Sequence, residues 1–446
     1  MRVTIVGAGY VGLVTGVCLA SRGLEVVCVD SDPQKVDAIQ KAVPPIHETG
    51  LESLLQRTVG RSLIATSDLR DSVTNADVVM IAVGTPSTRE GIDLAAVKNV
   101  AKQIGGAMRG RKLYQVIVVK STVVPGTTDR VVLPILEETS GKQAGADFGV
   151  ASNPEFLTEG QAIADFQEPD RIVIGGIDSR SIDTVSALYA SFNDVEILRV
   201  NTRTAEMIKY ASNAMLAAQI SFSNELAGLA SAVGGVDIVD VMRGVHLSNY
   251  LRPKANGDGR VMAPLTSFLE AGCGFGGSCL PKDVAALLAQ GEQLGCDMSM
   301  LRAILHRNQA QSEEIVRLLR KHIDPLRGRN IAVLGLAFKP DTDDVRHSPA
   351  FPVIRGLLSE GARVRVYDPV ASDQARRELG TADVSYKQSL RETLEHADGV
   401  AILTKWPEFL QVPEILKKLG SEAIVVDGRR MLDKRSVMIY EGIGLG

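Results

Sequence analysis

The chain has 446 residues, of which 45% are apolar and 23% charged, with 49 basic against 53 acidic side chains for a net charge of −4. At ~150 residues per domain the length suggests about three domains, and the composition excludes wholesale disorder. The near balance of charge argues against a mainly electrostatic nucleic-acid binder, and no run of about 18 uncharged apolar residues is present to span a bilayer.

The five cysteines, Cys18, Cys28, Cys273, Cys279 and Cys296, are odd in number and lack a CxxC pair. A disulfide scaffold or a structural metal site is not expected, and a reducing, cytoplasmic setting is.

The first third predicts alternating strands and helices. Residues 3–6 form a short apolar strand and residues 11–21 a helix, so this N-terminal run reads as strand, glycine turn and helix rather than as a signal peptide. Further strands are expected at 25–29, 78–83 and 116–119, each bounded by Gly, Pro or Asp. Buried strands separated by helices indicate a parallel sheet covered on both faces.

Gly7-Ala-Gly9-Tyr10-Val11-Gly12 follows the first strand, and Asp30 closes the second. In that context Gly7 permits a tight turn, Gly9 lets the backbone approach a pyrophosphate, and Gly12 allows close helix–strand packing. Helix N–H groups would face the phosphates. A carboxylate at Asp30 accepts from a ribose diol and repels a 2′-phosphate, so the expected cofactor is NAD rather than NADP.

Further along, Asn153-Pro-Glu155-Phe156-Leu157-Thr158-Glu159-Gly160 places two carboxylates four apart after a strand. Residues 202–233 contain one Gly and no Pro, and apolar residues recur at Ile208, Ala211, Met215, Ala218, Phe222, Leu226 and Leu229. This spacing predicts one helix ~45 Å long, ended by Gly234-Gly235, that joins two domains or two subunits. Lys209 and Asn213 share a face of it. Read without a family, that pair and the two glutamates fit a solvated surface at least as well as a catalytic site.

Shorter helices are expected at 236–243, 284–294 and 300–323. Before the second of these lies Gly274-Phe275-Gly276-Gly277-Ser278-Cys279-Leu280-Pro281-Lys282-Asp283. The glycines bring the backbone close to something, and Pro281 suits a first helical turn. Cys279 therefore stands near a helix N-terminus with Lys282 close by, two features that stabilise a thiolate. The alternatives are a nucleophile and an inert packing cysteine. Cys18 and Cys28 are expected in the core.

After Pro325 the α/β pattern restarts. Residues 331–335 repeat the form of 3–7, residues 362–369 resemble 24–30, and Ala397-Asp398 echoes Ala76-Asp77. The fold class is α/β: two Rossmann-like, doubly wound domains joined by a long helix and a helical middle. The expected division is 1–200, 201–325 and 326–446. The second α/β unit, with Gly335-Leu-Ala-Phe338-Lys339-Pro, lacks the dinucleotide fingerprint. It suits a nucleotide-bearing substrate with Lys339 on a phosphate, or else Lys339 is a solvated loop lysine.

The motifs Gly7-Ala-Gly-Tyr-Val-Gly12, Val83-Gly-Thr85-Pro86, Lys120-Ser121-Thr122-Val123, Ser152-Asn-Pro-Glu-Phe-Leu157, Lys209-x-x-x-Asn213, Gly276-Gly-Ser-Cys-Leu-Pro-Lys-Asp283 and Phe338-Lys-Pro-Asp-Thr-Asp-Asp344 run in order through the chain. Together they resemble the UDP-glucose/GDP-mannose 6-dehydrogenase family. The resemblance implies oxidation of a sugar C6 alcohol to a carboxylate with two NAD, through a thiohemiacetal and a thioester on Cys279. It implies Lys209 for the oxyanion, Asn213 for placement, Asp283 and Thr122 with a water for proton transfer, and Glu155 for thioester hydrolysis.

It further implies Gly7, Gly9, Tyr10, Val11, Gly12, Asp30, Lys35, Thr85, Pro86, Ser121, Thr122, Glu159, Lys282 and Arg346 around NAD. Glu155, Phe156, Leu157, Glu159, Lys209, Asn213, Phe268, Phe275, Gly276, Phe338, Lys339 and Arg429 fall around the nucleotide sugar. UDP-glucose is the first substrate choice, with GDP-mannose and dTDP-glucose as alternatives, and a homodimer is implied. Other readings are a two-electron hydroxyacid-type dehydrogenase and a non-catalytic NAD-binding regulator.

The chain departs from the family pattern at Val124-Pro125, at Thr158, and in a longer 247–267 segment. Ala263 falls where the family's partner-reaching arginine belongs, which leaves Arg252 or Arg260 to replace it, or no such contact.

Overall fold

A computed structural model describes residues 1–88, 91–253 and 261–446. Contacts divide the chain into two compact units, Met1–Ser212 and Asn213–Gly446.

The first unit is built on eight strands: β1 (Arg2–Val6), β2 (Glu25–Val29), β3 (Leu63–Thr66), β4 (Val78–Ile81), β5 (Val116–Val119), β6 (Gly149–Ser152), β7 (Ile172–Gly176) and β8 (Ile197–Val200), in the order β8-β7-β6-β5-β4-β1-β2-β3. Neighbours run parallel except β6 and β7. Every residue of β4 and β5 is buried, as expected where helices cover both faces of a parallel sheet. The strand expected over 78–83 stops at Ile81. Ala82 N–H still bonds the Val6 carbonyl at 2.8 Å, after which the chain leaves the sheet and the Val83 carbonyl accepts from the Ser121 hydroxyl. Helix α1 (Tyr10–Ser21) follows β1, and Cys18 and Cys28 lie in the core as expected.

Helix α2 (Thr202–Val233) has the predicted bounds, and Gly234 and Gly235 beyond it adopt φ of +77° and +67°. The boundary between the units falls inside it, after Ser212. The second unit continues through α3 (Leu280–Gln293) and α4 (Ser299–Arg320). The helix expected at 284–294 begins four residues earlier because Pro281, lacking an N–H, fits the first turn.

A six-stranded sheet completes the second unit: β9 (Asn330–Leu334), β10 (Arg363–Tyr367), β11 (Val384–Tyr386), β12 (Gly399–Ile402), β13 (Ile424–Asp427) and β14 (Tyr440–Gly442), all parallel in the order β11-β10-β9-β12-β13-β14. Numbered within its own unit this is 3-2-1-4-5-6, and β3-β2-β1-β4-β5-β6 of the first sheet is the same series. In both, the strand order reverses beside the first strand, where open α/β sheets hold ligands. No helix among the described residues is long and apolar enough to cross a membrane.

Candidate active-site residues in each unit

The glycine turn after β1 has the geometry its residues require. Gly7 adopts φ +103°, and a Cβ there would lie 2.6 Å from the Ala82 carbonyl oxygen. A Cβ on Gly12 would meet the Gly7 oxygen at 1.8 Å, so only glycine lets α1 pack this closely. A Cβ on Gly9 would meet nothing within 4 Å, and Gly9 caps α1 without a side-chain bond. The backbone there is bare and the helix start is open, which fits a pyrophosphate. Tyr10 and Val11 begin the helix.

Asp30, at the end of β2, accepts from Ala8 N–H at 2.8 Å and Asp32 N–H at 2.9 Å, with the Lys35 ammonium 3.8 Å away. Its carboxylate stays partly open, as a ribose contact requires. Ser121 and Thr122 leave β5 beside Thr85 and Pro86: the Ser121 hydroxyl donates to the Val83 carbonyl at 2.7 Å, and the Thr85 hydroxyl to the Thr122 carbonyl at 2.8 Å. These turns stand at the strand ends next to the reversal of order.

Glu155 follows β6 and is buried. The Lys209 ammonium lies 3.0 Å from one carboxylate oxygen and the Leu157 N–H donates to the other at 2.6 Å. Burial alone would push this carboxyl up; Lys209, the Leu157 N–H and Lys120 outweigh it and hold it below the usual range. Glu155 is therefore an ionised base at neutral pH. Phe156 receives the Arg171 guanidinium 4.0 Å above its ring.

Three buried polar residues make contacts to which the motif reading assigned no role. Lys120 donates to Asn153 at 3.0 Å, and burial lowers it to about 8. Glu48 accepts from the N–H groups of Gly160 at 2.8 Å and Ala162 at 2.9 Å and from the Tyr10 hydroxyl, tying the phosphate turn to the Glu159 loop. Glu206 on α2 accepts from the turn after Ser121 and Thr122. Glu206 stands between Ala205 and Met207, Lys120 between Val119 and Ser121, and Glu48 between His47 and Thr49, contexts too common to single out.

In the second unit, Cys279 is the half-exposed N-cap of α3, with its sulfur 3.5 Å from the Ser278 hydroxyl. Asp283 is 1% exposed; Lys282 donates to one of its oxygens at 2.6 Å and Asn213 to the other at 2.6 Å. Lys282, expected beside a thiolate, also donates to Asp283. The helix N-terminus at Cys279 is a further feature that stabilises a thiolate.

The glycines before Cys279 serve the protein's own packing. A Cβ on Gly276 would lie 2.4 Å from the His347 carbonyl oxygen, and one on Gly277 2.8 Å from the Phe338 ring. Phe268, Phe275, Gly276, Phe338, Lys339 and Arg429 line one cavity of about 310 Å³. Arg429 is fixed there by donating to the carbonyls of Leu403, Gly274 and Phe338. Arg346 forks onto Asp344 at 2.8 and 2.7 Å. Arg252 ends a turn, its N–H bonded to the Ser248 carbonyl, whereas Arg260 lies outside the described residues.

Three domain descriptions of one family match the chain: "UDP-glucose/GDP-mannose dehydrogenase family, NAD binding domain" at residues 1–193, the family's central domain at 203–310, and its UDP binding domain at 332–434. The UDP-glucose 6-dehydrogenase AglM of Haloferax volcanii is 40% identical, with 99% of this chain and 100% of that one covered. The GDP-mannose 6-dehydrogenase of Pseudomonas aeruginosa is also 40% identical, over 82% of this chain and 81% of its own. A UDP-glucose dehydrogenase from Pyrobaculum islandicum shares the structure with a TM-score of 0.90 at 40% identity, covering 100% of this chain and 98% of that one.

Proposed function

Because the chain belongs to the UDP-glucose/GDP-mannose dehydrogenase family, we propose that it oxidises UDP-glucose to UDP-glucuronate in two steps on one cysteine. It is an NAD-dependent nucleotide-sugar 6-dehydrogenase. Identity of 40% to UDP-glucose enzymes over the full length, against 36% for a GDP-mannose dehydrogenase structure compared over 99% of this chain, favours UDP-glucose.

NAD, when bound, accepts the hydride in each oxidation. The chain's own groups do the rest. Asp283, with Thr122 and a water, takes the alcohol proton, and Asn213 and Lys282 hold its carboxylate in place. The Cys279 thiolate adds to the C6 aldehyde to give a thiohemiacetal, which restores a C–H bond that can deliver hydride. Lys209 stabilises the oxyanion at C6. Loss of the second hydride leaves a thioester, and Glu155 takes a proton from the attacking water to release the acid and the free thiol.

The observation that carries this reading is a half-exposed cysteine capping a helix one turn before a buried aspartate engaged on both oxygens. NAD seats on Gly7, Gly9, Tyr10, Val11, Gly12, Asp30 and Lys35, with Thr85, Pro86, Ser121, Glu159, Lys282 and Arg346 as further contacts. The nucleotide sugar takes Phe156, Leu157, Phe268, Phe275, Gly276, Phe338, Lys339 and Arg429.

The matched spans 1–193, 203–310 and 332–434 support a division at 1–200, 201–325 and 326–446, and thinly spread cysteines with no CxxC pair suit the cytoplasm. Met215, Phe222, Leu229 and Val233 stand exposed along one face of α2, a stripe that a second copy of this chain would bury as a homodimer. Incubation with a panel of nucleotide sugars and NAD tests the activity. UDP-glucose should yield two NADH per sugar; one NADH, or preference for GDP-mannose or dTDP-glucose, would overturn the assignment.

A further inference from the structure

Glu206 has a buried carboxylate, 2% exposed, that the reaction above does not use. One oxygen accepts from Gly126 N–H at 2.6 Å; the other accepts from Thr128 N–H at 2.8 Å and the Thr128 hydroxyl at 2.6 Å. All three are neutral donors. The charged groups around it are Asp129 beside Thr128, Arg130, whose stem lies over Gly126, and Arg203 on its own helix, which is paired with Asp129 at 2.6 Å.

The segment it grips is the far end of the loop carrying Ser121 and Thr122. The near end is fixed by neutral contacts to Val83 and Thr85 and by the Lys120–Asn153 bond. Glu206 also stands one helical turn before Lys209, so the loop is held against the helix that carries that lysine.

We propose that Glu206 is a positioning residue for the Lys120–Thr128 loop, which shapes Ser121 and Thr122 for the cofactor while ionised and slackens on protonation. The proposal rests on the reading that this crevice holds NAD. Burial without a bonded cation pushes the carboxyl up to about 7, against the pull of the Thr128 and Gly126 hydrogen bonds, and Asp129 adds to the rise. A proton on the oxygen facing Gly126 sets donor against donor and removes that bond. Glu206→Gln places an amide N–H₂ or a single acceptor there and fixes the slackened state at every pH.

Calorimetric titration of the full chain with NAD between pH 6 and 8.5 tests this. Wild type should bind about tenfold more tightly at the alkaline end, the worth of roughly one hydrogen bond. Glu206→Gln should bind at the weak level throughout. Thr128→Val removes a bond that favours the charged form and should move the midpoint up. Asp129→Asn removes a negative neighbour and should move it down. An unchanged pH dependence in Glu206→Gln, or a midpoint indifferent to both neighbouring changes, would overturn the clamp; the neighbouring variants decide the matter if Glu206→Gln does not fold. No NAD binding by wild type at any pH would instead overturn the cofactor reading, and the clamp with it.

Discussion

The two sheets share one frame and differ in how its ligand corner is finished. Asp77 accepts from Arg2 N–H at 2.8 Å, and Asp398 accepts from Asn330 N–H at 2.8 Å. Gly7 N–H meets the Val29 carbonyl at 2.8 Å, and Gly335 N–H the Tyr367 carbonyl at 2.9 Å. Gly7 and Gly335 take φ of +103° and +95°.

Beyond that turn the likeness stops. Asp30 engages two N–H groups and stays partly open, whereas Asp368 is 3% exposed and holds the N–H groups of Leu336, Ala337, Val370 and Ala371 and the Trp406 indole. Where the first unit has bare Gly9, the second has buried Ala337, whose carbonyl accepts from Thr404. The aspartate position that we assign to the cofactor ribose in the first sheet is thus taken up by the fold in the second. The two units share a topology and differ in the residues of this corner, so the topology alone does not make a dinucleotide site.

The sharpest test of this division lies outside both corners. Cys279→Ala leaves the Gly9–Asp30 corner and the Arg429 cavity intact, so NAD and UDP-glucose affinities should change little. The second oxidation has no thiohemiacetal to act on, and kcat for acid formation should fall at least about a thousandfold. Sustained turnover at two NADH per sugar by the folded variant would end the covalent mechanism.

Next in size is Asp368→Ala. It leaves four N–H groups and an indole without their acceptor, and at about 1–3 kcal/mol for each buried unsatisfied group the loss should exceed about 3 kcal/mol. Chemical denaturation should show it, together with reduced yield of folded protein. Asp30→Ala, at the equivalent place, frees only two donors, the N–H groups of Ala8 and Asp32, so its loss of stability should be about half that of Asp368→Ala or less. Its kcat/KM for NAD should fall about tenfold or more through loss of the ribose contact, and discrimination against NADP should weaken. Equal stability losses at the two aspartates would break the comparison.

Much of this was legible in the residues. The glycine turn, Asp30, the bounds of α2 and the place of Cys279 near a helix N-terminus follow from local rules: backbone freedom at Gly7, helical spacing from 202 to 233, and a proline fitted to a first turn. The echo of Ala76-Asp77 in Ala397-Asp398 marked the repeat because each aspartate closes the same hydrogen bond.

The unread part depends on partners far along the chain. Asp368 is sealed by Trp406, 38 residues on, and the Glu206 clamp spans 78 to 80. β6, Gly-Val-Ala-Ser, has little strand character of its own. Gly149 is needed because a Cβ would meet the Ser181 hydroxyl at 2.4 Å and the Tyr114 hydroxyl at 2.6 Å. Lys282 beside Cys279 suggested a thiolate partner; its pairing with Asp283, on a carboxylate shared with Asn213, was not legible in the residues.

The smallest expected effect is where the two units should agree. Asp77→Ala and Asp398→Ala each remove the acceptor of one strand-initiating N–H, that of Arg2 and that of Asn330. Water can reach these strand ends, so the cost is that of one ordinary hydrogen bond, about 1 kcal/mol. Asp398 also carries Arg329 at 3.2 Å, but with the arginine half exposed and the carboxylate one-third exposed that pair adds no more than about 0.5 kcal/mol. Hydrogen exchange read by mass spectrometry over peptides covering residues 1–8 and 329–336 should show protection falling about fivefold in each variant, in its own unit only. The repeat would then be energetic as well as geometric at its base while diverging at its corner. A loss in one unit more than about tenfold greater than in the other would mean that these two aspartates, like Asp30 and Asp368, had also taken different roles.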